Sequence, residues 1–130
     1  KTRGLPTSID KRLDLFCKKL ETLLNLKDEK PALLHGDLWS GNHFASHDQV
    51  PYIFDPAVYF GFREADLAMT EMFGRLPEEF YSAYQEVFPT QAGYTERKDL
   101  YNLYHRLNHY NLFGGSYLEQ ADRVVRGFLD

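Results

Sequence analysis

"LLHGDLWSGNHF", residues 33–44, decides how the chain is read. "PALL" (31–34) is a short apolar run behind Pro31; a polar loop carrying His35, Asp37, Trp39 and Asn42 follows, and "HFA" (43–45) resumes the apolar pattern. Together with the turn-like "SHDQ" (46–49) and "PYIFD" (51–55), this spacing predicts a short β-hairpin with polar residues at both ends. Outward from it the pattern is helical. Upstream, Asp10 can cap a helix whose stripe is Leu13, Phe16, Leu20, Leu23 and Leu24, with Cys17 beside it as a small core residue. Downstream, "READLAMTEMFG" stops at Gly74, and "PEEFYSAYQEVF" has Pro77 in its first turn and ends before Pro89. A longer helix is expected from about Thr95 to Phe113 on a stripe of Leu100, Leu103, Leu107 and Tyr110, closed by Gly114–Gly115 and followed by a last helix from Ser116 to about Leu129. The fold class is mainly α with a small β-hairpin (α+β), a single domain over residues 1–130 with a linker-like start at 1–9.

Composition narrows the function. A chain of 130 residues, 43% hydrophobic and 15% aromatic, is long and apolar enough for a folded core. Its 15 basic and 19 acidic residues leave a net charge of −4, which offers no general basic field for nucleic acid. A single cysteine forms no internal disulfide, and no apolar run reaches the length of a membrane span, so a cytoplasmic protein is expected. The opening "KTRGLPTSID" has neither an initiator Met nor a leader and reads as part of a longer protein.

The loop carries the chemistry. Phosphoryl transfer to a hydroxyl needs a carboxylate beside the nucleophilic oxygen and a divalent cation among the phosphates. Asp37 and Asn42 have the five-residue spacing of base and metal ligand in a kinase catalytic loop, and Asp55 in "IFDPA" stands where the second metal ligand follows the next hairpin. Asn42 would give Mg²⁺ a neutral oxygen and Asp55 a charged one, a donor set suited to a hard cation.

"LLHGDLWSGNHF", "IFDPAVYFGFREADLAMTEMFG", "FYSAYQEVFP" and "LYHRLNHYNLFGGSYL" strongly resemble the fructosamine kinase (ketosamine 3-kinase) family, a branch of the protein-kinase-like, aminoglycoside-phosphotransferase-like superfamily. "HGD-x4-N" marks a broad set of small-molecule kinases; Trp39, "DPAVYFG" and "LNHYN" point to the fructosamine branch. The resemblance implies the C-terminal helical lobe of that fold and transfer of the ATP γ-phosphate to the sugar 3-hydroxyl of fructosamines or ribulosamines, leading to deglycation of amines and proteins. It implies Asp37 as catalytic base, Asn42 and Asp55 as Mg²⁺ ligands, and His35 with Asp66 as braces of the catalytic loop. Trp39 could lie against a sugar face, and His105, Asn108 and His109, on one helical face, could hydrogen-bond a polyhydroxylated substrate.

Other residues read more plainly. Arg63 and Glu64 look like solvated charges at a helix start, and His43 and His47 like solvent residues. His105 and His109 have metal-compatible spacing but no "HExxH" glutamate. No glycine-rich phosphate loop, strand lysine or partner glutamate is found, so the N-terminal ATP-clamping lobe is absent from these residues and becomes an expected partner, docking on an open apolar face. Alone, the chain is expected to bind MgATP weakly and turn over negligibly. Alternatives are an aminoglycoside- or choline-type kinase, a noncatalytic kinase-like binding module, and a metallohydrolase built on His35, Asp37 and Asp55.

Overall fold

A computed structural model describes residues 4–24 and 29–129; the first three residues of the expected linker-like start lie outside them. The chain forms two compact units, Lys1–Asn25 with Asn102–Asp130, and Leu26–Tyr101. The main helices and the hairpin form as expected, so the chain is mostly helical with small antiparallel pairings. No helix among the described residues is long and apolar enough to cross a membrane.

In the first unit, α1 (Thr7–Leu24) starts a turn before Asp10, because the Pro6 carbonyl accepts the Ile9 and Asp10 amides. Asp10 therefore sits in the first turn, where its charge suits the positive end of the helix dipole. Phe16 is the buried residue of α1, and its ring meets Phe128 of α5 (Tyr117–Leu129) at 6.2 Å. Arg12 Nε reaches Asp122 Oδ1 at 2.8 Å beside it. Cys17 is exposed rather than a core residue, since one helical step turns it about 100° from Phe16 and the buried stripe is narrow. The long α4 (Tyr94–Phe113) ends as expected at Gly114 (φ 72°) and Gly115 (φ 66°), with the Gly114 amide on the Tyr110 carbonyl at 2.8 Å.

The second unit positions the loop. Strands β2 (His43–Ala45) and β3 (Pro51–Ile53) form the expected hairpin in the register His43↔Ile53, Phe44↔Tyr52, Ala45↔Pro51. A second ribbon, which the sequence reading leaves unassigned, pairs β1 (Ala32–Leu34) with β4 (Tyr59–Gly61). After β4, α2 (Glu64–Thr70) ends four residues short of Gly74. Its last turn tightens as the Glu71 and Met72 amides bond the Ala68 and Met69 carbonyls, and the Thr70 hydroxyl meets the Leu67 carbonyl at 2.6 Å and Tyr81 Oη at 2.9 Å. Pro77 opens α3 (Glu78–Val87), and the core of this unit gathers Leu34, Leu67, Ala68, Met69, Tyr81 and Leu100.

Candidate active site

Strand β1 delivers the chain into residues 35–42, and the backbone there has little freedom. Gly36 has φ +81°, and a Cβ on it would stand 2.0 Å from the Ala57 carbonyl oxygen, so glycine is required for both conformation and space. The Ala57 amide in turn donates to the His35 carbonyl at 2.8 Å, continuing the β1–β4 ribbon into the loop.

Two side chains fasten this turn. Asp66, in the first turn of α2, accepts the His35 amide on Oδ2 at 2.7 Å and the Gly36 amide on Oδ1 at 2.9 Å. His35 is buried and uses both ring nitrogens: Nδ1 accepts the Asp37 amide at 3.3 Å, which leaves Nε2 to donate to the Phe54 carbonyl at 2.9 Å. The imidazole thereby ties the loop to the end of the hairpin. With both nitrogens engaged, His35 has none left for a metal, which removes a ligand from the hydrolase alternative. Among the described residues no group of three His, Cys, Asp or Glu side chains is placed to hold a metal ion.

Asn42 closes the loop from the far side. It is buried at the end of a 3-10 turn (Ser40–Asn42), and its Nδ2 donates to the Asp37 carbonyl at 2.8 Å and to Asp37 Oδ2 at 2.9 Å. The Phe54 amide bonds the Asn42 carbonyl at 3.1 Å, so the hairpin register sets Phe54 against Asn42 and presents Asp55 as the next residue. Asp55 is exposed and left-handed at φ 51°, a conformation that aspartate tolerates better than most residues. Asp37 Oδ1, Asn42 Oδ1 and the Asp55 carboxylate have no protein hydrogen-bond partner among the described residues. Asn42 thus offers a neutral oxygen and Asp55 charged ones, a donor chemistry that fits Mg²⁺, while Asp37 Oδ1 stays open as an acceptor.

Trp39 is partly exposed; its indole meets Phe73 edge-on at 5.9 Å and lies so close over Gly41 that a Cβ there would stand 2.3 Å from the ring. Leu33, Phe44, Ile53 and Phe60 on the two ribbons, and Val58 just before β4, are exposed large apolar side chains. His105, Asn108 and His109 lie in the other compact unit, on α4. There His109 Nδ1 bonds the His105 carbonyl at 2.7 Å and its ring contacts Phe113 and Tyr117, while His105 meets Tyr104 edge-on.

Three expectations about charged residues are corrected. Glu64 is fully buried rather than solvated and receives a two-pronged pair from Arg97, Nε to Oε2 at 2.9 Å and Nη2 to Oε1 at 2.8 Å. That hydrogen bond, outweighing the cost of burial, raises the Arg97 pKa, while burial and the Glu64 charge raise that of the Tyr101 phenol. Arg63 is likewise engaged, with Glu29 Oε1 at 2.9 Å, Tyr84 Oη at 3.1 Å, and the Phe88 ring centroid 4.1 Å from its guanidinium carbon. His47 stands in solvent, but His43 is half-buried with Nε2 enclosed and unbonded, because its strand turns the ring inward. The sequence carries no local signal for the Glu64–Arg97 pair, whose partners are far apart in the chain.

The family model for fructosamine kinase matches residues 3–130. A "probable ketoamine kinase" of Synechocystis is 52% identical over 108 residues, covering 83% of this chain and 37% of that protein. A chloroplastic protein-ribulosamine 3-kinase of Arabidopsis thaliana is 52% identical over 100 residues, 77% of this chain and 30% of the relative. The crystal structure of a candidate fructosamine-3-kinase from Thermobifida fusca superposes with a TM-score of 0.86 at 36% identity, over 96% of this chain and 43% of that one. The chain thus spans well under half the length of these relatives and has the fold of the C-terminal helical lobe, and it belongs to the fructosamine kinase family.

Proposed function

We propose that this chain is the catalytic lobe of an ATP-dependent ketosamine 3-kinase that phosphorylates the sugar 3-hydroxyl of fructosamines or ribulosamines, free or on glycated proteins. The observation that carries the reading is the arrangement of Asp37 and Asn42: one hydrogen bond orients the Asp37 carboxylate and leaves Oδ1 open, while Asn42 keeps its own Oδ1 open beside it. Asp37 Oδ1 accepts a hydrogen bond from the 3-hydroxyl and takes its proton as the hydroxyl oxygen bonds to the γ-phosphorus and the bond to ADP breaks. Asn42 and Asp55 would hold Mg²⁺, which supplies charge neutralisation among the phosphates. His35 and Asp66 keep the loop from shifting, so that Asp37 meets its substrate without reorganisation.

Trp39 is assigned to a sugar face, because its ring is partly exposed and held from behind by Phe73. His105, Asn108 and His109, which share one face of α4, are assigned to hydrogen bonding with a polyhydroxylated substrate. The exposed apolar residues of the two ribbons are read as the seat of an N-terminal lobe that clamps ATP, and without that lobe the chain turns over negligibly. The cytoplasmic reading rests on the single cysteine.

Mass spectrometry tests the substrate class. With an N-terminal lobe from a ketoamine kinase relative joined upstream, ATP and either fructosyl-lysine or ribulosyl-lysine should yield the phosphorylated ketosamine. Phosphorylation of choline or an aminoglycoside, with neither ketosamine touched, would overturn the substrate and keep the fold.

A further inference from the structure

We propose that Glu64 and Arg97 are positioning residues for the loop at 35–42, acting through Asp66. The proposal rests on the functional reading only for what the loop does; the structural claim stands apart from it.

Asp66 holds two successive amides on two oxygens, at 2.7 and 2.9 Å, and such a double contact tolerates little movement of the helix that bears it. Side-chain tips stand about 5–6 Å from a helix axis, so a rotation of about 10° would carry the Asp66 carboxylate roughly 1 Å and break the pair. Yet α2 is a weak support. It has seven residues, too few to be stable by its own hydrogen bonds, and the N-cap residue before it, Arg63, makes no side-chain cap. Apolar burial of Leu67, Ala68 and Met69 holds α2 against the core, but apolar contact is not directional and does not fix rotation.

Thr70 at the far end of α2 is tied to Tyr81 Oη; at the end that bears Asp66 the directional restraint comes from Glu64, two residues before it. Its carboxylate is gripped by both prongs of Arg97, and planar fork-to-fork pairing sets orientation as well as distance. Arg97 is itself fixed: its Nη1 bonds the Ala92 carbonyl at 2.6 Å and its Nη2 the Gln91 carbonyl at 3.1 Å. Next door, Arg63 bonds the Phe88 carbonyl at 2.9 Å and the Pro89 carbonyl at 2.6 Å. Adjacent residues of the α2 start are thus tied to one connection, residues 88–92, and through Arg97 to the first turn of α4. A buried ion pair is a poor source of net stability and is replaceable by apolar residues of like volume. Its distinctive contribution here is the direction it imposes on the turn that carries Asp66.

Amide hydrogen exchange on this chain tests the claim with wild type, Glu64→Gln, Asp66→Asn and the double variant. The His35 and Gly36 amides report the Asp66 contacts, and the Tyr84 and Gln85 amides inside α3 report general loosening of the same unit. Glu64→Gln is expected to speed His35 and Gly36 exchange about tenfold beyond any change in α3, and the double variant should match Asp66→Asn alone. Arg97→Lys, which keeps the charge and loses the fork, should act in the same direction and serves if Glu64→Gln does not fold. Parallel acceleration of all four amides, or additive effects in the double variant, would overturn the proposal. With an N-terminal lobe supplied, Glu64→Gln should lower kcat for a ketosamine about tenfold at unchanged KM for ATP. An unchanged kcat in an active enzyme would overturn the functional half, whereas an inactive wild type with selective exchange intact counts only against the kinase reading.

Discussion

Asp66 receives the amide hydrogens of His35 and Gly36 on separate carboxylate oxygens, at 2.7 and 2.9 Å, and so joins the start of α2 to the turn that leads into Asp37. Asp66→Asn keeps one acceptor oxygen and exchanges the other for a donor that faces a second N–H group. The loss of a charge-assisted hydrogen bond, with two donors opposed, should cost about 1.5–3 kcal/mol in urea denaturation. A cost below about 0.5 kcal/mol would mean that the two contacts do not hold the loop.

Gly36 admits no side chain. Its φ of +81° strains any L-residue, and an added Cβ would meet the Ala57 carbonyl at 2.0 Å, in the segment whose amide bonds His35. Gly36→Ala should therefore destabilise the chain by about 2–4 kcal/mol, by strain and by parting the two ribbons. Gly74→Ala is the matched control, because Gly74 also has positive φ (+115°) but open space around it, and it should cost less.

The single tryptophan reports its own seat. A Cβ at Gly41 would stand 2.3 Å from the Trp39 ring, so Gly41→Ala must push the indole off its place beside Phe73. The expected result is a shifted emission maximum and a changed near-ultraviolet dichroism, with helical dichroism retained. An unaltered emission spectrum would show that the indole does not rest over Gly41.

Acid should weaken the partly buried network around Glu71. Burial alone would raise the Glu71 pKa, but hydrogen bonds from Lys98 (2.8 Å) and Tyr94 (2.9 Å), with the charges of Lys98 and Arg75, bring it below the usual glutamate value. A carboxylate lowered by folding stabilises the folded state above its unfolded pKa, and that contribution is lost as pH falls through the folded pKa. The stability gap between wild type and Glu71→Gln should thus be full near neutrality and shrink below the ordinary value of 4.5. Urea titrations at about pH 7 and about pH 3 measure it, and a gap that is constant across them contradicts the assignment.

What could be read from the sequence follows the range of the forces involved. The α3 helix is legible because Pro77 and Pro89 bracket it, α4 because its glycines end it, and the β2–β3 hairpin because its strands are joined by a local turn. The β1–β4 ribbon is not: Leu34 pairs with Tyr59 across an intervening hairpin, and three-residue strands leave no periodicity to detect. The site divides in the same way. The Asp37–Asn42 contact lies within one loop, where spacing foretells it, and the hairpin register brings Asp55 beside that loop. Glu64 and Arg63 read as surface charges because local pattern cannot show Arg97 or Glu29 arriving from other elements. Cys17 failed for a simpler reason, since a position one step from a buried phenylalanine is turned outward when the buried stripe is narrow.

The most direct test of the account is ADP formation with fructosyl-lysine and ribulosyl-lysine, comparing the chain joined behind an N-terminal lobe with its Asp37→Asn variant. This substitution keeps the side-chain shape and an oxygen for the Asn42 amide, so the loop should stay folded while the base is lost. Ketosamine-dependent ADP release is expected from the joined protein and should fall by a factor of about 10² or more in the variant. Release that is equal in both proteins would contradict Asp37 as the base, and with it the proposed chemistry of the loop.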